Sequence, residues 1–141
     1  MKKGLLVILS GPSGVGKGTV RKRIMKSDEI NLVYSISMTT REPRRKEKEG
    51  VDYCFVSNKT FDEHIKNDDF LEWAEFVDHR YGTPKSKVEE LRNEGKNVFL
   101  EIEVNGANQV LSKVKDDKVV SIFLMPPSLK IFEEEKPKLR N

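Results

Sequence analysis

Apolar and polar positions follow one another along the chain in short blocks, and the blocks predict the elements. Leu5-Leu6-Val7-Ile8-Leu9 is an unbroken apolar run closed by Ser10-Gly11-Pro12. A run of that length between turn residues predicts a strand buried on both faces, as in a parallel sheet. Val15 to about Lys26 predicts a helix with Val20, Ile24 and Met25 on its inner side. Val33 to Met38 alternates weakly and predicts a strand, and Arg41 to Glu49, with Pro43 inside, predicts a loop. Asp52 to Val56 predicts a short strand. Thr60-Phe61-Asp62-Glu63 predicts a helix start, Thr60 capping and Glu63 reaching back, with the helix running to about Asn67. Phe70 to Val77 predicts a half-buried strand, Tyr81 to Pro84 a turn, and Lys85 to Asn93 a helix stopped by Gly95. Asn97 to Ile102 and Val119 to Met125 predict two further strands, with a helix from Gly106 to Val114 between them. Alternating strands and helices predict an α/β fold with a mainly parallel sheet. The stretch from Val33 to about Tyr81, with several strands and one helix, predicts a small, partly antiparallel insertion.

Composition narrows the class. The 141 residues fit one domain. Charged residues make up 35% and apolar residues 36%, so the core is thin and the surface well solvated. No apolar run approaches the ~18 residues of a membrane span, and the apolar stretch after Met1-Lys2-Lys3-Gly4 is too short for a signal peptide. Basic and acidic residues number 26 and 23, interspersed, which gives no argument for nucleic acid or membrane partners. The single cysteine, Cys54, forms no internal disulfide or structural zinc site, and this fits a reducing, cytoplasmic setting. His64 and His79 have no metal spacing, and Phe61, Phe70, Trp73 and Phe76 read as core.

One motif carries chemistry by itself. Gly11-Pro12-Ser13-Gly14-Val15-Gly16-Lys17-Gly18-Thr19 matches G-x-x-x-x-G-K between a predicted strand and a predicted helix. Glycines let the backbone N–H groups converge on one point, the helix N-terminus adds partial positive charge, and Lys17 supplies a full charge for phosphates. The strict pattern has Ser or Thr directly after the lysine. Here Gly18 comes first, and Thr19 is the hydroxyl left to face magnesium, directly or through water. Glu101, closing the run Val98-Phe99-Leu100, stands where an acid holds magnesium or its waters in other phosphate-loop proteins. By residue type alone, Arg41, Arg44 and Arg45 read as a solvated charge run at least as readily as an anion site. Glu72 and Glu103, taken singly, read as surface acids.

Six further segments accompany the loop: Ser35 to Arg44, Gly50-Val51-Asp52-Tyr53, Phe70 to Ala74, Tyr81-Gly82-Thr83, Phe99 to Glu103, and Pro126-Pro127-Ser128. With the loop, and in this order, they resemble guanylate kinase, a nucleoside monophosphate kinase family. The resemblance covers roughly Gly4 to Leu129. It implies a phosphate-loop parallel sheet flanked by helices, built from about 1–32 and 84–129, with a mixed-β GMP-binding region at about 33–83. It also implies transfer of the ATP γ-phosphoryl group to GMP, giving GDP and ADP, with magnesium. Lys17, Arg41 and Arg44 would be catalytic; Ser37, Arg41, Arg44, Tyr53 and Tyr81 would surround the GMP phosphate. Glu72, Thr83 and Glu103 would read guanine, Glu103 standing where Asp is common. After Leu129 the family continues through an arginine-bearing lid and a last core strand. Here 130–141 reads as a divergent tail, so the expectation is a truncated chain in which Val119 to Met125 is an open sheet edge. GMP recognition would be complete and catalysis incomplete. The alternatives are a GMP-binding remnant without turnover and a guanylate-kinase-like binding module.

Overall fold

The computed structural model describes residues 2–12, 14–27, 29 and 31–126. Ser13, Pro127, Ser128 and the tail at 130–141 lie outside the described residues. In chain order the elements are β1 (Leu6–Ser10), α1 (Lys17–Met25), β2 (Leu32–Tyr34), β3 (Met38–Thr39), β4 (Cys54–Phe55), α2 (Asn58–Lys66), β5 (Phe70–Phe76), β6 (His79–Pro84), α3 (Lys85–Asn93), β7 (Asn97–Glu101), α4 (Val104–Lys113) and β8 (Val119–Phe123). Among the described residues two four-stranded sheets form. One, in the order β2-β7-β1-β8, is parallel throughout; the other, β4-β3-β6-β5, is mixed. This is the expected α/β architecture with a small mixed-β unit.

The parallel sheet is covered because its strands are apolar on both faces. Leu6, Ile8, Val98 and Leu100 of β1 and β7 pack with Val88 of α3 and Ala107 and Val110 of α4. Burying each large aliphatic side chain contributes about 1.5–3 kcal/mol. Successive strand residues face opposite ways, and β5 uses this to join the two sheets. Its Leu71 enters the first core, while Phe70 stacks on Phe61 of α2 in the second, ring centroids 4.5 Å apart. From α4, Gln109 bonds the Trp73 backbone at both N and O (3.3 Å each), and Lys113 Nζ donates to Phe70 O at 2.8 Å.

Several expected elements are corrected. The run Val33 to Met38 is two strands in two sheets: β2 pairs with β7, Ser35 N donates to Phe99 O, and Met38 then enters the second core. Its weak alternation serves two separate cores. Helix α2 is capped by Ser57, whose Oγ accepts from Thr60 N at 3.1 Å, so the start lies three residues before the expected cap. Tyr81 to Pro84 is not a turn but the end of β6. Gly82 is there for space: a Cβ would lie 2.7 Å from the Phe70 ring. The chain reverses at Val77 and Asp78, with φ of 48° and 64°, the pair of left-handed residues a two-residue hairpin uses. Phe76, expected in the core, is 69% exposed, because burial fades along β5 toward this hairpin. Strand β8 is, among the described residues, the outer strand of the parallel sheet, with Val120, Ile122 and Phe123 exposed.

Candidate active site

The phosphate loop joins β1 to α1 at the C-terminal end of the parallel sheet. Gly16 immediately precedes the helix with φ of 101°, a value that only glycine adopts freely. Lys17 opens α1 and is 8% exposed. Its Nζ donates to Gly11 O at 2.7 Å and Pro12 O at 3.4 Å, and lies 3.6 Å from Glu103 Oε1. The loop thus holds its own lysine folded across its mouth. Gly14 is exposed, Val15 and Gly18 are half-buried, and Thr19 is exposed in the first turn of α1.

The mixed sheet brings the candidate anion-binding residues together. Arg41 Nε donates to the Tyr81 hydroxyl at 3.3 Å, and its guanidinium lies over the Tyr53 ring, 5.3 Å from the centroid. The Tyr53 and Tyr81 rings are 5.9 Å apart. Nη1 and Nη2 of Arg41 donate to the two oxygens of Glu47 at 2.8 and 3.0 Å, a bidentate grip of the kind arginine makes with phosphate. The Arg44 backbone N–H donates to Glu47 Oε1 at 2.8 Å, while the Arg44 residue is exposed. The Arg41 fork holds Glu47 down at a pKa of about 2, and the Arg44 amide adds to this. Ser37 is half-buried beside the sheet, and its carbonyl accepts from Cys54 N at 2.8 Å. Sequence reasoning missed Glu47. It sits in a mixed-charge run, and only the fold of the loop shows which cation it meets.

Glu72 follows an irregularity in the β5–β6 pairing, between Phe70 and Glu72, and such irregularities re-aim side chains. Glu72 is 8% exposed. Thr83 Oγ1 on β6 donates to its Oε1 at 2.8 Å. Burial pushes the Glu72 carboxyl up, while the Thr83 hydrogen bond and the Lys113 charge pull the other way. Its Oε2 faces Gly106 of α4, where a Cβ would lie 2.8 Å away. That glycine, too, was invisible as a site residue in the sequence. Glu103 caps the same helix just ahead, its side chain 69% exposed. The candidate guanine readers are therefore a buried carboxylate with its hydroxyl partner and, at the start of α4, a solvated carboxylate beside Lys17.

Glu101, the candidate metal acid, is held by Arg21 of α1, Nε to Oε1 at 2.6 Å. Among the described residues no group of three or more His, Cys, Asp or Glu side chains is arranged to hold a metal ion. The donors present suit a magnesium ion carried in on phosphates. Magnesium keeps several waters and needs only one or two protein oxygens, and the exposed Thr19 hydroxyl is such a group.

The guanylate kinase family model matches residues 3–140. The chain belongs to the guanylate kinase family. It is 54% identical over 129 residues to the guanylate kinase of Aster yellows witches'-broom phytoplasma, covering 92% of this chain and 61% of that protein. It is 56% identical over 128 residues to the guanylate kinase of Bacillus cereus, covering 91% of this chain and 62% of the relative. The chain therefore spans roughly three fifths of the length of these relatives. The crystal structure of guanylate kinase from Anaplasma phagocytophilum superposes with a TM-score of 0.73 at 33% identity, covering 99% of this chain and 69% of that one. Similarity to this guanylate kinase accords with both sheets: the parallel sheet that ends in the phosphate-loop motif and the mixed unit that carries Arg41, Tyr53, Tyr81, Glu72 and Thr83. Among the described residues no helix of the chain is long and apolar enough to cross a membrane.

Proposed function

We propose that this chain binds GMP in the mixed-β unit and ATP at the phosphate loop, and transfers the ATP γ-phosphoryl group to GMP. The observation that carries the reading is the buried carboxylate of Glu72 with Thr83 donating to one of its oxygens. Guanine offers two donors, N1–H and the exocyclic amine, and a carboxylate accepts both. Adenine has no donor at N1 and would leave the buried oxygen poorly paired, which costs an unmatched ligand a great deal.

The other roles follow from residue chemistry. Lys17 and the loop amides bind the ATP phosphates. Arg41, Arg44, Tyr53 and Tyr81 hold the acceptor phosphate in line, Ser37 lying beside them. Its oxygen is already an anion, so no general base is required. When bound, magnesium would offset the charge of the phosphates, and the exposed Thr19 hydroxyl would hold it directly or through water. Positioning and charge neutralisation then supply the rate enhancement. ATP and GMP are cytoplasmic metabolites, which puts the protein in the cytoplasm.

The test is phosphotransfer with ATP, magnesium and GMP, against Lys17→Ala protein purified in the same way. GDP formation well above that control supports the kinase reading. Turnover at the control level, with GMP still bound, leaves a GMP-binding unit. That second reading rests on the mixed-β unit by itself, in which Thr83 donates to Glu72 and Arg41 to Tyr81. Absence of both turnover and GMP binding overturns both readings.

A further inference from the structure

Arg21 lies four residues after Lys17, one helical turn along the same face of α1. Its guanidinium lies over the first turn of that helix: a Cβ built on Gly18 would be 3.7 Å from Arg21 Nη2. Two groups fix it. Glu101 at the end of β7 accepts from Nε at 2.6 Å. The Tyr34 ring at the end of β2 lies beneath the guanidinium, 4.9 Å from centroid to Cζ. Among the described residues Nη1 and Nη2 make no hydrogen bond, so four of the five N–H donors of this arginine are uncommitted.

The surroundings locate those donors between two sites. On the donor side stands Lys17, one turn back, with Glu103 two residues beyond Glu101 on the same strand end. On the acceptor side, Tyr34 ends β2 three residues before Ser37, where the chain passes into β3 of the mixed sheet. Burial raises the Tyr34 hydroxyl first, Arg21 opposes this, and Glu101 and Tyr53 add to it. A position between donor and acceptor phosphates is where negative charge is densest during transfer, and a fixed cation there acts without reorganising.

We propose that Arg21 is a phosphate-binding residue that spans the donor and acceptor sites, with Glu101 and Tyr34 positioning it by its Nε edge and ring face. The proposal rests on the kinase reading above. Glu101 then serves, through Oε1, as the holder of a cation.

The probe is an adenosine–guanosine pentaphosphate, which fills both sites at once, titrated calorimetrically in magnesium buffer beside GMP alone. Arg21→Gln is expected to weaken the pentaphosphate about tenfold or more while GMP stays within twofold and the melting temperature within a few degrees. Arg21→Lys, which keeps the charge and loses the fork, is expected to lose less than fivefold and keeps the test open should the glutamine variant fold poorly. Unchanged pentaphosphate affinity in both variants overturns the proposal. So does an equal loss of GMP and pentaphosphate affinity with a lowered melting temperature, the mark of a purely structural ion pair. A native chain that binds neither ligand overturns the kinase reading, and the proposal falls with it.

Discussion

Replacing Gly106 by alanine separates stability from nucleotide choice. The added methyl would lie 2.8 Å from Glu72 Oε2, 3.2 Å from its Cδ and 3.4 Å from its Cγ. The first distance is several tenths of an ångström short of ordinary contact. Relief must come from the carboxylate, because the helix backbone is packed through Ala107 and Val110 into the first core. Two terms oppose each other. Alanine favours a helix over glycine by about 1 kcal/mol. Pushing Glu72 off Thr83 loosens a hydrogen bond to a charged group, worth about 1.5–3 kcal/mol. The net stability loss is therefore about 1 kcal/mol, a modest shift in a urea melt. Binding has no such compensation. A displaced carboxylate misaligns both acceptors for guanine, and GMP affinity is expected to fall about tenfold, equivalent to about 1.4 kcal/mol, while AMP, bound weakly through phosphate contacts, stays unchanged. Calorimetric titration with GMP and AMP, beside the urea melt, reads all three quantities. GMP affinity within twofold of the native chain would refute the reasoning: the carboxylate would then either relax without cost or not face guanine.

Three further outcomes follow from the ion pairs and the hairpin. Glu47→Ala should lower GMP affinity about tenfold and move the melting temperature little, because Glu47 organises Arg41 and the Arg44 backbone within one loop; an unchanged GMP titration would refute this. Asp116 is held at about 2 against an ordinary 3.8, chiefly by the Arg92 fork at 2.9 and 3.1 Å. A depressed carboxyl contributes stability above its unfolded value and loses it as pH falls toward 2, here on the order of 1 kcal/mol once solvent screening is allowed for. Arg92→Met should remove Asp116's share of that acid step and cost about 3 kcal/mol, since Arg92 is 2% exposed and also bonds Gly4 O; an acid limb identical to the native one would refute the assignment. Replacing Val77 and Asp78 together by Asn-Gly should stabilise the chain by about 1 kcal/mol, since both positions have positive φ; a lower melting temperature would show that the hairpin needs the native pair.

What was legible in the sequence divides along a physical line. The parallel strands β1 and β7 were visible because a strand buried on both faces is a nearly unbroken apolar run, β8 was visible from its apolar residues although most of them are exposed here, and α3 was visible from its Gly95 stop. The mixed unit was legible only in outline. Its strands β3 and β4 are two residues each, too short for any period, and β6 hides behind Gly82 and Pro84, residues that signal a turn wherever neighbouring packing is unknown. The candidate site shows the same division. Lys17 could be nominated by its motif, whereas Arg41, Tyr53, Glu72 and Thr83 could be nominated through the resemblance to guanylate kinase, because residue type alone leaves Arg41 a solvated charge and Glu72 a surface acid. The residues that restrain them could not. Glu47, Gly106 and Arg21 meet their partners across 6, 34 and 80 positions of chain, and no local pattern encodes a partner that distant.

Those restraints also rank the cations of the site by what each has left to offer. Three of them sit beside a carboxylate side chain: Lys17 by Glu103, Arg21 by Glu101 and Arg41 by Glu47. Local charge is thereby nearly balanced before any phosphate arrives, so binding strength depends on how firmly each donor is placed as well as on how many are uncommitted. Arg41 has given Nε to Tyr81, Nη1 to Glu42 O and Glu47, and Nη2 to Glu47, and keeps one N–H of its five. Lys17 has turned two donors onto its own loop and aims toward Glu103 with the third. Arg41 is therefore rigid and selective, fixed to accept one anion in one orientation. Lys17 must release loop carbonyls to reach a phosphate, which ties its engagement to nucleotide entry. Arg21 keeps four donors on a guanidinium already held in place, which is what the proposed transfer between two phosphates would ask of it. A site with one rigid clamp, one gated charge and one fixed but open fork suits transfer between two bound phosphates better than tight retention of either.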